Sequence, residues 1–211
     1  MKVFYIAGAG RSGSTLLEMI LGNVPGCFSV GEVRHFWEYL LREDILCGCG
    51  EHLKTCSFWG AVSQRLKRFP GLDLAHLAQL SLRLNRTHNL PKYNRKLISQ
   101  PDFKELLTAT EQLYALIQTE SGASWIIDSS KAPTHLFILN QIKGIDLRVL
   151  HLIRDPRAVV YSWNRRVKHE PGRSTDNQFM EKRPIIPSTL RWLAENYYAS
   201  KFGTLSGKYF A

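Results

Sequence analysis

The chain alternates solid apolar runs of strand length with longer segments whose apolar residues recur at helical spacing. Residues 3–7 (Val-Phe-Tyr-Ile-Ala) form the first run, and Leu16, Leu17, Ile20 and Leu21 follow at helical spacing. This predicts a strand over 3–7 and a helix over 14–21. Pro25-Gly26 marks a turn, and residues 27–30 read as a second strand ending at Gly31-Glu32. Residues 34–42 look helical, with Phe36, Trp37, Leu40 and Leu41 on one side. Residues 58–122 read as a helical insertion. Stretches 61–69, 74–84 and 103–119 carry helical periodicity, broken by Pro70-Gly71 and Asn89-Leu90-Pro91. A third strand over 125–128 leads into Ser129-Ser130-Lys131 and a helix over 133–142. A fourth strand over 147–153 leads into a helix over 156–167, with Pro156 suited to its first turn. Residues 168–187 are charged and irregular, 188–202 is the last clear helix, and 208–210 fits the start of another strand. Strands alternating with helices predict an α/β fold: a P-loop-like three-layer αβα domain over 1–211 with a parallel central sheet.

Between the first strand and its helix lies Gly8-Ala9-Gly10-Arg11-Ser12-Gly13-Ser14-Thr15. Strand, glycine-rich turn and helix together cradle phosphate, because consecutive backbone N–H groups point into the turn and the helix N-terminus adds partial positive charge. The pattern is nearly a Walker A loop, G-x-x-x-x-G-K-[ST]. Ser14 stands where a nucleotide triphosphatase has lysine, and the nearby cation is Arg11. That departure argues against ATP or GTP hydrolysis, in which the lysine neutralises the terminal phosphates. A 5′-phosphate or phosphosulfate still suits the turn.

A second landmark follows the fourth strand. Arg154 is expected at its carboxyl end, Ser162 eight residues later on the next helix, and Arg166 one turn further. A guanidinium and a hydroxyl converging in this way make a second oxyanion cradle. Parallel sheets bind ligands at the carboxyl ends of their strands. Four groups fall there: the Arg11 turn, Glu32, Lys131 and Arg154.

Together the two landmarks resemble the sulfotransferases that use 3′-phosphoadenosine 5′-phosphosulfate. That family carries R-S-G-[ST]-T for the 5′-phosphosulfate, here Arg11-Ser12-Gly13-Ser14-Thr15. It carries an Arg and, eight residues later, a Ser for the 3′-phosphate, here Arg154 and Ser162. The resemblance runs from residue 1 to about residue 200. It implies sulfuryl transfer to a hydroxyl or amine of a glycan, lipid or small molecule, with adenosine 3′,5′-bisphosphate as product. The implied donor contacts are Gly10, Arg11, Ser12, Gly13, Ser14, Thr15, Arg154, Ser162 and Arg166. Members with a Gly-Glu pair after the second strand use that Glu as base, which implies Glu32. The soluble small-molecule branch uses histidine, which makes His35 and His135 the alternatives. Arg11 and Lys131 are the cations expected at the leaving oxygen, with no metal required. The family continues past the last helix with a further strand and more donor contacts, so the C-terminal part of its domain is expected to be missing here. A P-loop nucleotide or small-molecule kinase and a non-catalytic adenosine-bisphosphate-binding module are the other readings of the same features.

Composition narrows the partners. At 211 residues and 44% hydrophobic, the chain can bury one sizeable core. A formal charge of +10, from 28 basic and 18 acidic residues, suggests an anionic partner. The cations are scattered and show no basic–aromatic repeat, which argues against nucleic acid. The first strand begins at residue 2 or 3, leaving no room for a signal peptide. No apolar run approaches the ~20 residues of a membrane span, so a cytoplasmic protein is expected. Cys47, Cys49 and Cys56 fall within ten residues, near His52. A structural zinc site, a disulfide such as Cys49–Cys56, and free thiols all remain open; C-x-C suits zinc less well than C-x-x-C.

Overall fold

The computed structural model describes residues 1–165 and 182–211. Its strands are β1 (Lys2–Ala7), β2 (Cys27–Gly31), β3 (Trp125–Lys131), β4 (Asp146–His151) and β5 (Tyr209–Phe210). Its helices are α1 (Ser14–Gly22), α2 (Phe36–Tyr39), α3 (Ser57–Leu66), α4 (Leu74–Leu84), α5 (Arg95–Ile98), α6 (Pro101–Ser121), α7 (Pro133–Gln141), α8 (Pro156–Asn164) and α9 (Ile185–Gly203). The strands form one sheet in the order β2-β3-β1-β4-β5, with every pair parallel. β1 is central, and Val3, Tyr5, Ile6 and Ala7 are fully buried. Cover on both faces is why its sequence is a solid apolar run rather than an alternating one.

The order also fixes the layers. From β1 the chain moves out to β2, then returns through β3 and past β1 to β4 and β5. Right-handed crossovers therefore put α1 on one face of the sheet and α6, α7 and α9 on the other. Accordingly α1 packs on β2 and β3, while α7 packs on α6 and α9. α6 runs the length of the insertion's core, with Phe103, Leu106, Leu113, Tyr114 and Ile117 buried at helical spacing. Pro101 opens this helix, and Gly122 closes it in a left-handed conformation.

Several boundaries differ from the sequence expectation. Residues 34–42 are a 3-10 turn (Val33–His35) followed by the single helical turn α2, and Leu41 is half exposed. The break at Asn89-Leu90-Pro91 is itself a 3-10 helix, Thr87–Lys92. The short α5 follows it, capped by the Asn94 side chain. β3 continues through the two serines to Lys131, because β1 and β2 flank it and sustain its pairing. β4 ends at His151, so Arg154 lies in the loop beyond the strand. The 208–210 segment does form a strand edge, with β5 pairing to β4. Among the described residues, no helix is long and apolar enough to cross a membrane.

Candidate active site

β1 delivers the chain into the glycine turn at the carboxyl edge of the sheet. Gly8 has φ 136°, and a Cβ there would lie 2.4 Å from the Leu152 carbonyl oxygen. The turn and the loop after β4 therefore touch backbone to backbone. Gly13 stands at the N-cap of α1 with φ 94°, no side chain among the described residues caps the helix, and its first turn holds no acidic residue. A helix N-terminus of this kind suits an anion. The Ser12 hydroxyl is buried and has no hydrogen-bond partner among the described residues. Ser14 is buried, whereas Thr15 is exposed and lines the cleft.

Arg11 is one of two non-glycine residues with left-handed backbone among those described; the other is Lys131. Backbone held in this sparsely populated region tends to mark functional sites. Arg11 Nε donates to Ser162 Oγ at 3.0 Å, and its guanidinium lies over the Trp163 ring. Arg154 Nη1 donates to the Arg11 carbonyl at 3.0 Å, and the Arg154 carbonyl accepts from Trp192 Nε1 at 3.1 Å. The glycine turn and the Arg154–Ser162 stretch thus meet in one place. Gly10 belongs to the same wall, since a Cβ there would reach Trp163 at 3.3 Å. Arg166 lies outside the described residues.

The second cluster gathers at the ends of β2 and β3. Register shifts at both ends, between Ser29 and Gly31 and between Tyr5 and Ala7, act as bulges that re-aim the last side chains. Lys131 Nζ donates to Glu32 Oε1 at 2.7 Å and to the Ser129 carbonyl at 2.9 Å. Glu32 also faces the Arg34 guanidinium and His35 Nε2, both at 3.7 Å. Burial alone would raise the Glu32 carboxyl, but Lys131, Arg34 and His35 outweigh it and hold the group below its ordinary value. Lys131, expected beside the donor, is here bound to the candidate base.

His135 must be removed from the candidate bases. It is buried on α7, where Nε2 sits 3.0 Å from the Tyr114 hydroxyl, which donates in turn to the buried Asp128 carboxylate. This is an internal polar network closed off from any acceptor. His35, by contrast, lines the adjoining groove and bridges Glu32 and Glu38.

Other contributors had no sequence signal. The carboxylate of Glu18 on α1 is buried against the sheet, where it accepts from the Ser29 and Ser129 hydroxyls and from the Gly31 amide at 2.6 Å. It braces the segment that ends in Glu32. Arg34 Nε, Thr134 Oγ1 and Ser188 Oγ are buried without partners among the described residues, and all three residues line the cleft. Unpaired polar atoms around one cavity suit water or a polar ligand.

The cleft measures about 420 Å³ and is lined by the glycine turn, Glu32, Lys131, Arg154, Ser162 and Trp163. Asn85, Thr87 and Leu90 of the helical insertion form one wall, and Ser188, Arg191, Trp192 and Glu195 of α9 another. A wider groove of about 890 Å³ adjoins it, sharing Arg34, Asn85, Thr87, Leu90, Arg183 and Arg191. The groove adds His35, Arg86 and His88, with no carboxylate among its described lining residues. The insertion therefore both covers the sheet and walls the cleft.

A family model described as "Sulfotransferase family" matches residues 4–199. No curated protein and no solved structure matches the chain.

Proposed function

Because this chain belongs to the sulfotransferase family, we propose that it moves a sulfuryl group from 3′-phosphoadenosine 5′-phosphosulfate to a hydroxyl or amine of an acceptor. One observation carries the reading: Arg11 touches Ser162 while Arg154 touches Arg11, a contact that supports the glycine turn and the Arg–Ser pair acting as two halves of a single anion site. The uncapped N-terminus of α1 and the buried Ser12 hydroxyl fit the 5′ end of a nucleotide with two anionic groups. Arg154 and Ser162 fit its 3′-phosphate. A cleft of about 420 Å³ is within the usual range for such a ligand.

In the proposed step the acceptor oxygen or nitrogen attacks sulfur as the bond from sulfur to the bridging phosphate oxygen breaks. The electron pair leaves on that oxygen, where Arg11 and the turn amides stabilise it. The acceptor proton passes to Glu32. Protonation of Glu32 weakens its ion pair, which frees the Lys131 ammonium for the new negative charge. The cationic groove beside the cleft supports an acceptor that carries negative charge of its own.

The test is a thermal-shift comparison of adenosine 3′,5′-bisphosphate, adenosine 5′-phosphate and ATP, followed by transfer of labelled sulfate to neutral and anionic sugars. Stabilisation by the bisphosphate above both other nucleotides, with label in an acceptor, is expected. Stabilisation by ATP alone would favour a kinase. Binding of the bisphosphate without transfer to any acceptor would leave a binding module.

A further inference from the structure

The segment between α2 and α3, residues 40–56, is long for a connection and carries little secondary structure of its own. One isolated antiparallel bridge, Leu46 to His52, closes a small hairpin within it. The Cys47 amide donates to the Glu51 carbonyl at 2.8 Å, and the Gly50 amide to the Cys47 carbonyl at 2.9 Å. His52 Nδ1 lies 3.1 Å from the Glu43 carbonyl. This hairpin carries Cys47 and Cys49 back towards Cys56, which is buried at the N-cap of α3.

The three sulfurs converge, all lying within 4.8 Å of one another. Cys49 Sγ and Cys56 Sγ are 3.7 Å apart. Around a tetrahedral zinc ion with bonds of about 2.3 Å, sulfurs sit about 3.8 Å from each other. Soft thiolate donors in tetrahedral spacing select zinc among the common divalent ions.

We propose that Cys47, Cys49 and Cys56 bind one zinc ion, which staples the 40–56 segment to the start of α3. None of the three lines the cleft, so the site is structural and separate from sulfuryl transfer. The cluster offers three protein ligands among the described residues, and Cys49 is exposed. The fourth position is open to a further ligand. Ile45 and Leu53, both buried in the main core, carry the effect of the ion inward.

The full chain, purified under reducing conditions without chelator, is assayed for zinc by mass spectrometry of the metal and titrated with zinc against a chelating dye. One zinc per chain is expected, as is an intense sulfur-to-cobalt absorption band on exchange with Co²⁺. Zinc should shield three of the four cysteines from maleimide, leaving Cys27 reactive. Cys49→Ser, at an exposed position, should lower zinc affinity at least tenfold, whereas Cys27→Ser should leave it unchanged. Chain without zinc, three thiols equally reactive with and without the ion, or an intact mass showing a Cys49–Cys56 disulfide would each overturn the assignment.

Discussion

Lys131 Nζ and Glu32 Oε1 lie 2.7 Å apart, joining the carboxyl ends of β3 and β2 inside the cleft. Neither residue's neighbours in sequence announce this pair. It gives the candidate base an unusual setting, because a partly buried carboxylate would ordinarily hold its proton more tightly. Lys131, together with Arg34 and His35, reverses that and holds the group ionised.

In the proposed mechanism the pair should set the pH dependence of turnover. Glu32 lies below its ordinary value, so the acid limb of kcat/KM should fall below the usual carboxylate range. Lys131→Met removes the strongest opposing charge and leaves burial to act. The limb should then move to higher pH while turnover drops. Glu32→Gln should lower kcat about 100-fold or more and spare bisphosphate affinity. A limb that stays put in Lys131→Met would separate the pair from catalysis.

Donor binding should divide between Arg11 and Arg154. Loss of a charge-assisted phosphate contact costs about 2 kcal/mol, or roughly 30-fold in affinity. Arg154→Ala should weaken adenosine 3′,5′-bisphosphate by about that much and adenosine 5′-phosphate far less. Arg11→Ala should weaken both, since its side chain reaches Ser162 while its backbone shapes the glycine turn. Isothermal titration calorimetry on the four combinations reads this directly, and equal losses in Arg154→Ala would reassign the 3′-phosphate site.

Two glycines of the turn should separate folding from binding. In Gly8→Ala the new methyl meets the Leu152 carbonyl at 2.4 Å on a backbone of φ 136°, which should cost about 3 kcal/mol of stability or more. Gly13 also has positive φ, but nothing lies within 4 Å of its Cβ position. Gly13→Ala should cost about 1–2 kcal/mol through backbone conformation alone. Urea denaturation of the two variants checks the difference.

His151 should make stability depend on pH. Its Nε2 donates to Asn196 Oδ1 at 2.8 Å, and its Nδ1 accepts from the Tyr209 hydroxyl at 2.6 Å, which ties β4 to α9 and β5. Burial pushes the imidazole below its ordinary value, against a smaller opposing effect of Asn196. The unfolded side chain titrates near 6.5, so the unfolded state takes up protons first on acidification. The contribution is complete above that pH and is lost as pH falls from there through the lower folded value. Urea midpoints should drop across this window, and His151→Phe should flatten the dependence whatever its own cost. An unchanged slope in the variant would assign the acid sensitivity elsewhere.

The order of strands and helices, the glycine turn and the Arg154–Ser162 spacing were legible from the chain alone. Each is local: a phosphate cradle is built from consecutive amides on one strand–turn–helix unit, so its residues must be neighbours in sequence. The solid run of β1 likewise announced a strand covered on both faces. What the tertiary structure decided is non-local. Register shifts at the ends of β2 and β3 turned Lys131 onto Glu32. Packing of α6 against α7 enclosed His135 with Tyr114 and Asp128. The return of α1 over the sheet placed Glu18 beneath the serines of β2 and β3. Spacing along one chain sets which residues share a helix face or a turn. Which side chains meet across parallel strands is set by register and by helices that cross over the sheet, and neither leaves a repeat in the sequence to read.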